Sequence, residues 1–538
     1  MEGTGRDPLG LSRVSDSLTN FLLPSIITTT DRARYYSFYT WAIADIQALR
    51  EAKNGKVVFE EEFQRREAAF ALASLMGRRT ELPIVGVRAV EGALASPDEE
   101  DRLGTAFRVL PSNTTGGYGQ YYGGCLHALG LVQSDSEGDL VVSPELGRRL
   151  AAAFAAATAS APYRAEGWQT RARVPKKTLQ KSAKLYSLDA LGGAEAEQER
   201  ELLIQLFFDL DKSPSPTRPL NRQATLGLFL HLLRSCAESG VEVTRRTVDD
   251  DAIFWPHYYA GLEDGESGFL PYQTVPAFTG VQNFWRQFCA HQFLAVALEE
   301  FLAGVLGVLA AYPEGLPKAS LLDEMMATGF IEDMEGVVGT PCGTPAALLA
   351  AIGINGVPGV DESIAASRRF HGGAAVNEWK VFWADDGAAE TSLGQTFLVL
   401  AILYARWRGR SDDDTLLQVE QEAGKELWLG TMFPWLDGWT TDRPSWRDAV
   451  EALLDWITMR HEQVKFQKRK LDASWFEVAN GRYIRQQDIE ANTRASRHSN
   501  ATTILQDLGL IEHAGLDDPL RLTERGNEVL NEVIRLRS

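Results

Sequence analysis

Three side chains in the second half of the chain are of the types that hydrolyse with a divalent metal: Asp361, Glu378 and Lys380. One Asp and one Glu can share a cation, and a Lys beside them can sit near the attacking water. Glu378-Trp379-Lys380 falls in Ala375 to Trp383, where Ala375, Trp379, Val381 and Trp383 fall mostly on one face, opposite Glu378 and Lys380, which predicts a strand. Glu51-Ala52-Lys53 repeats the triplet with no strand around it, so the triplet by itself is a cheap signal. His461-Glu462 opens a zinc-binding HExxH, but Lys465 stands where the second His is required. Cys289 and His291 lie on a strongly apolar helix and read as core or edge residues rather than ligands. Cys125, Cys236, Cys289 and Cys342 form no CxxC pair. Gly117 to Gly123 lacks the spacing of a dinucleotide fingerprint, and neither a GxxxxGK(S/T) phosphate loop nor a GxSxG elbow occurs. The expectation is no cofactor, no metal and no nucleotide motif.

The Asp361, Glu378 and Lys380 arrangement is similar to that of PD-(D/E)xK nucleases, and the alternative function it implies is metal-dependent nucleic-acid cleavage. Charge suggests a different chemistry. From Gly167 to Leu188 there is no acid, while Arg171, Arg173, Lys176, Lys177, Lys181 and Lys184 supply a basic patch. If Pro175 opens a helix, Lys177, Lys181 and Lys184 share one face. Such a strip could take phosphate or nucleic acid; the plainer reading is a solvated segment docked on the acidic rest of the chain or on an acidic partner. The whole protein carries a net charge of −19, which argues against a surface coated for non-specific nucleic-acid binding. Its tail, residues 460–538, is nearly neutral, with 13 Lys/Arg against 12 Asp/Glu.

The elements that would position a site come from an internal similarity. Leu126-His-Ala-Leu129-Gly130-Leu131-Val132 is followed by a polar gap, then Leu140-Val-Val-Ser143 and Gly147. Leu505-Gln-Asp-Leu508-Gly509-Leu510-Ile511 is followed by a polar gap, then Leu520-Arg-Leu-Thr523 and Gly526. Each predicts a helix ended by a left-handed glycine, a β-hairpin, and a closing helix capped by Ser143 or Thr523. The C-terminal segment resembles the end of many bacterial winged-helix domains, and the N-terminal one is similar. That resemblance implies DNA contact through the helix before the hairpin. At the C-terminus this helix spans about Ser499 to Leu508, with Asn500, Thr503 and Gln506 outward and Arg494, Arg497 and His498 just upstream. The hairpin tips argue for protein instead. One carries Glu512, Asp517 and Asp518 beside Arg521 alone, the other Asp135, Glu137 and Asp139 with no cation. Carboxylates facing phosphates cost binding energy.

Elsewhere helices dominate. Thr30 or Asp31 is placed to cap one through Leu49, apolar enough at its start to be buried rather than an aromatic binding box. Asn221 is placed to cap another that Gly240 ends, with more near 61–76, 195–210, 283–312, 391–409, 412–429 and 445–470. Linkers are expected at Ser213–Pro219 and Gly336–Gly359. The apolar run Phe293 to Tyr312, broken by Glu299 and Glu300, reads as a core helix rather than a membrane span. Sparse cysteine and a start without an apolar leader suggest the cytoplasm. The fold class expected is mainly α and multidomain, with small α/β winged-helix modules. Its domains are 1–160, 161–335, 336–460 and 461–538. The function expected is a non-enzymatic interaction or adaptor subunit of an intracellular, bacterial assembly, in the setting of DNA handling or phage defence. Other protein subunits are its partners, with DNA as a further partner of the C-terminal module and no membrane. A winged-helix regulator is the remaining alternative.

Overall fold

The computed structural model describes residues 7–80, 82–215, 217–248, 250–264, 268–352, 377–383, 391–408, 429–441, 444–468, 474–513 and 515–538. The protein is mainly helical, about 61% of it, with few and short strands. Its contacts sort it into two compact units, each assembled from separated pieces of sequence rather than from consecutive blocks. The first comprises Met1–Thr19, Asp250–Gln273 and Gly280–Ser496; the second comprises Asn20–Asp249, Thr274–Thr279 and Arg497–Ser538.

In the first unit the helix Thr279–Leu309 supplies much of the core. The segment Pro276–Leu309 is, among the described residues, the one long and apolar enough to cross a membrane, yet 72% of its most apolar window is buried. Burial of that kind marks a core helix. The helices Phe330–Val338 and Glu378–Trp383 both pack on Ser392–Trp407. Phe476–Ala479 and Arg482–Arg485 form a hairpin whose turn, Asn480-Gly481, has φ of 52° and 73°. Both central residues of a two-residue turn at positive φ match the right-handed twist of the strands, and Asn-Gly meets that need at least cost. Leu316-Pro317 adds a third strand beside Arg482–Arg485.

Two expectations fail in this unit. Glu378–Trp383 is a helix where alternation predicted a strand, and Ala375 lies outside the described residues. Trp379 and Trp383 are four apart, and as helix neighbours their rings meet at 4.4 Å, a contact that alternation could not reveal. Gly336–Gly359 is not a linker throughout, because Thr344 caps a helix at Pro345–Ala351. The helix expected at 412–429 lies outside the described residues except at Leu429.

The second unit is organised on α1 (Ala33–Ala52), whose residues from Ala33 through Ile43 are all buried. Tyr35, Phe38 and Tyr39 meet Phe63, Phe70, Tyr122 and Phe154 through stacked, tilted and edge-on rings. Such pairs add about 0.5–1.5 kcal/mol each beyond the area they bury. Neither Thr30 nor Asp31 caps α1. Arg32 occupies that position without a side-chain cap, while Thr30 turns its hydroxyl to the Ile27 amide. The cap comes from far away, as described below. α2 (Gly123–Ala128) leads into a hairpin, Val132–Ser134 with Leu140–Val142, and α3 (Leu146–Ala157) closes the segment on α1. α4 (Lys176–Ser182) follows a short strand, Arg173–Pro175, paired with Arg102–Gly104. α5 (Asn221–Ser239) begins after Leu220, which turns the chain at φ 52°, so Asn221 is the first helical residue rather than the cap. Gly240 ends it at φ 74° as expected. α6 (His498–Asp507), the hairpin Ile511-Glu512 with Arg521-Leu522, and α7 (Glu524–Arg537) complete the unit, with α7 lying on α5.

Candidate functional site

The two similar segments agree in detail. Gly130 and Gly509 have φ of 70° and 69°. The next amides, of Leu131 and Leu510, reach back to the carbonyls of Leu126 and Leu505 at 2.9 and 3.0 Å. Ser143 and Thr523 donate their amides to the carbonyls of Leu131 and Leu510, and their hydroxyls accept from the amides of Gly147 and Gly526. Each serine or threonine thus closes the hairpin and opens the last helix. Thr244 also bridges to Pro519, and the Leu520 amide donates to the Val243 carbonyl at 2.8 Å, so extended chain flanks the second hairpin.

The surface of α6 is not the one its sequence suggests. Thr503, expected outward, is 2% exposed and accepts from Arg245 at 2.9 Å. His498 is buried edge-on against Phe229, and desolvation pushes its imidazole down to about 3, so it is neutral at physiological pH. Arg497 is buried and donates to the Ile26 carbonyl at 3.1 Å. Asn500 donates to the Thr28 carbonyl, and Gln506 is bonded to His513. Asp507 accepts the Ala33 amide at 2.9 Å and so caps α1 from the far end of the sequence. The same carboxylate pairs with Arg32, whose other side meets Asp189. Burial lowers the Arg32 guanidinium, and these two carboxylates more than reverse the effect, leaving it raised. Arg494, in the first unit, is bound by Glu299 and Asp7. The six residues expected to meet a duplex are therefore already engaged, five of them in contacts inside the second unit.

Both acidic tips have cations that linear sequence hides. Arg50 pairs with Asp139 at 2.9 Å and Arg246 with Asp517 at 2.6 Å. The Arg246 pair is well exposed and contributes little to stability. In the first tip Asp135 accepts the amides of Glu137 and Asp139 through one oxygen, and it and Glu137 are both exposed.

The basic patch is open. α4 ends at Ser182, so Lys184 lies past the helix and does not continue the face of Lys177 and Lys181. Arg173 pairs with Asp98 at 2.8 Å. Among the described residues no carboxylate lies within ion-pair distance of Arg171, Lys176, Lys177, Lys181 or Lys184. Lys181 and Lys184 line a cleft of about 500 Å³ with Arg79, Ser160, Pro162 and Glu195. Sequence reasoning missed Arg79, and no local signal could have found it, since about a hundred residues separate it from Lys181.

Asp361 lies outside the described residues. Glu378 is fully buried and accepts from Arg406, Tyr258 and Tyr259 at 2.7–3.3 Å, so both its oxygens are occupied. Lys380 is half-buried on the same short helix. No group of three or more His, Cys, Asp or Glu side chains among the described residues is disposed to hold a metal ion. Set against protein-family models, curated proteins and solved structures, the chain finds no match.

Proposed function

We propose that this protein is a non-enzymatic adaptor subunit whose two helix–hairpin–helix segments are winged-helix modules that grip protein. One observation carries the reading. The helix that would enter a major groove, α6, spends Thr503, His498 and Asp507 on the interior of its own unit. A duplex that reached Thr503 or Asp507 would have to displace Arg245 or break the Arg32–Asp507 pair that caps α1. The acidic tips add to it, since Glu137, Asp517 and Asp518 are exposed where a phosphate backbone would pass. The chain flanking the second hairpin at Val243-Thr244, preceded by α5, supports the winged-helix assignment of that segment.

The test uses the full chain. Purified from native lysate, it carries a stoichiometric protein partner. Glu137→Lys or Asp518→Lys weakens that partner at least tenfold without altering the circular dichroism spectrum. A partner held unchanged by both variants removes the tips from the interface. Duplex binding that protects α6 in hydrogen exchange and is lost in Asn500→Ala overturns the adaptor reading in favour of a DNA-binding regulator.

A further inference from the structure

Six cations in a protein with a net charge of −19 have abundant acid to pair with, and among the described residues folding brings a carboxylate to only one of them. Arg173 finds Asp98; Arg171, Lys176, Lys177, Lys181 and Lys184 have no acidic neighbour among the described residues. Docking of this segment on the protein's own acidic surface would have left the opposite pattern. Folding instead adds a cation, setting Arg79 in one cleft with Lys181 and Lys184. The nearby acid that could neutralise them, Asp189, is already turned to Arg32 and to the backbone amide of Arg79. Against three cations the cleft offers one carboxylate, Glu195.

We propose that the cleft of Arg79, Lys181 and Lys184, continued along α4 by Lys177, binds the phosphate backbone of a double-stranded nucleic acid. Lysine predominates, and lysine meets phosphate as a hydrated point charge that needs no base and no fixed bidentate geometry. Lys177 and Lys181 stand about one helical turn apart, so the cations run on beyond the cleft as a line rather than closing a single anion pocket. The cleft lining holds no aromatic side chain. An acidic protein segment gains much of its affinity from aromatic anchors, and single-stranded nucleic acid from stacked rings, and this lining, whose apolar members are Pro162, Leu185 and Ala190, supplies no aromatic ring to either. What remains is attraction to a regular polyanion, driven by counterion release. Charge, exposure and the lining of the cleft define this surface independently of the hairpin tips.

The experiment is fluorescence anisotropy of a labelled 30-base-pair DNA duplex with the full-length protein, titrated at several salt concentrations. Lys181→Glu/Lys184→Glu should weaken binding at least tenfold and flatten the plot of log affinity against log salt by about two. Lys177→Gln should flatten it by about one. These side chains are exposed, and an unchanged melting temperature establishes that the variants fold. Affinity and salt slope unmoved by the double variant overturn the proposal. So does equal affinity for a poly-glutamate peptide, which would assign the cleft to an acidic protein, or for a single-stranded oligonucleotide of the same length. Displacement of the duplex by inorganic phosphate, when chloride at equal ionic strength leaves it bound, would mark a small-anion site and also overturn it. Retention of the protein partner by the double variant separates this surface from the hairpin tips.

Discussion

Gly526 lies against the carbonyl of Leu510 so closely that a Cβ on it would stand 2.1 Å from that oxygen, and Gly147 stands in the same relation to Leu131. In both segments the strand entering the hairpin crosses the first turn of the closing helix with room for a hydrogen and nothing more. The carbonyl cannot retreat, because it accepts the amide of Thr523 or Ser143. The recurrence of glycine after the capping residue is thus a packing requirement.

Gly526→Ala and Gly147→Ala should each destabilise their unit by about 3 kcal/mol, at the upper end of what overpacking costs. Gly124→Ala on α2 has nothing within 4 Å and should be neutral or slightly stabilising, since alanine favours helix over glycine. Urea denaturation of the three variants checks this. A Gly526→Ala midpoint equal to that of Gly124→Ala would remove the packing argument.

Glu67 provides a pH signature. Its buried carboxylate accepts from the Tyr39 hydroxyl and the Gly117 amide, both at 2.8 Å. Burial outweighs those bonds and pushes it from 4.5 up to about 7. For an acid raised on folding, the native state keeps a proton that the unfolded chain has released. Its contribution is therefore fully present below the unfolded value and is lost as pH rises through the window to about 7. That loss is worth roughly 3 kcal/mol at 1.36 kcal/mol per unit. Glu67→Gln should abolish this part of the pH dependence, measured as denaturation midpoints between pH 4.5 and 8. A Glu67→Gln profile parallel to that of the parent over this range would assign the slope to other groups.

Asp507 holds two things at once, the first turn of α1 and the buried guanidinium of Arg32. Asp507→Ala should cost about 3 kcal/mol, because it strands part of a buried charge as well as removing a cap. Replacing both partners with apolar residues, Arg32→Met/Asp507→Leu, should recover a good part of the loss. Thermal melts of the two variants check the pair. A double variant no better than Asp507→Ala would mean that the cap, rather than the charge, sets the cost.

Legibility followed the range of the interaction. Gly130, Gly509, Gly240, Ser143 and Thr523 act within a few residues of themselves, and the sequence placed each at the feature it forms. The buried character of α1 was equally plain, since its rings leave little polar face. Legibility failed where a partner came from a distance. Thr30 and Asp31 looked like caps because nothing nearby announces Asp507. Thr503 looked outward because its helix has a polar stripe, and that stripe is covered by Arg245 and by the start of α1. The hairpin tips looked poor in cations, with Arg521 alone at one and none at the other, because Arg50 and Arg246 belong to other elements.

By itself the sequence determined the helical class, the two hairpin segments with their glycine and hydroxyl punctuation, and the run of cations from Arg171 to Lys184. These depend on backbone preference and on composition, which act locally. Tertiary structure alone decided that Glu378 belongs to a buried ion pair with Arg406, that α6 is spent inside its unit, and that Arg79 joins Lys181 and Lys184. The physical reason is that burial, ion pairing and the shape of a cleft are properties of groups brought together from separated parts of the chain, and no local pattern records which groups will meet.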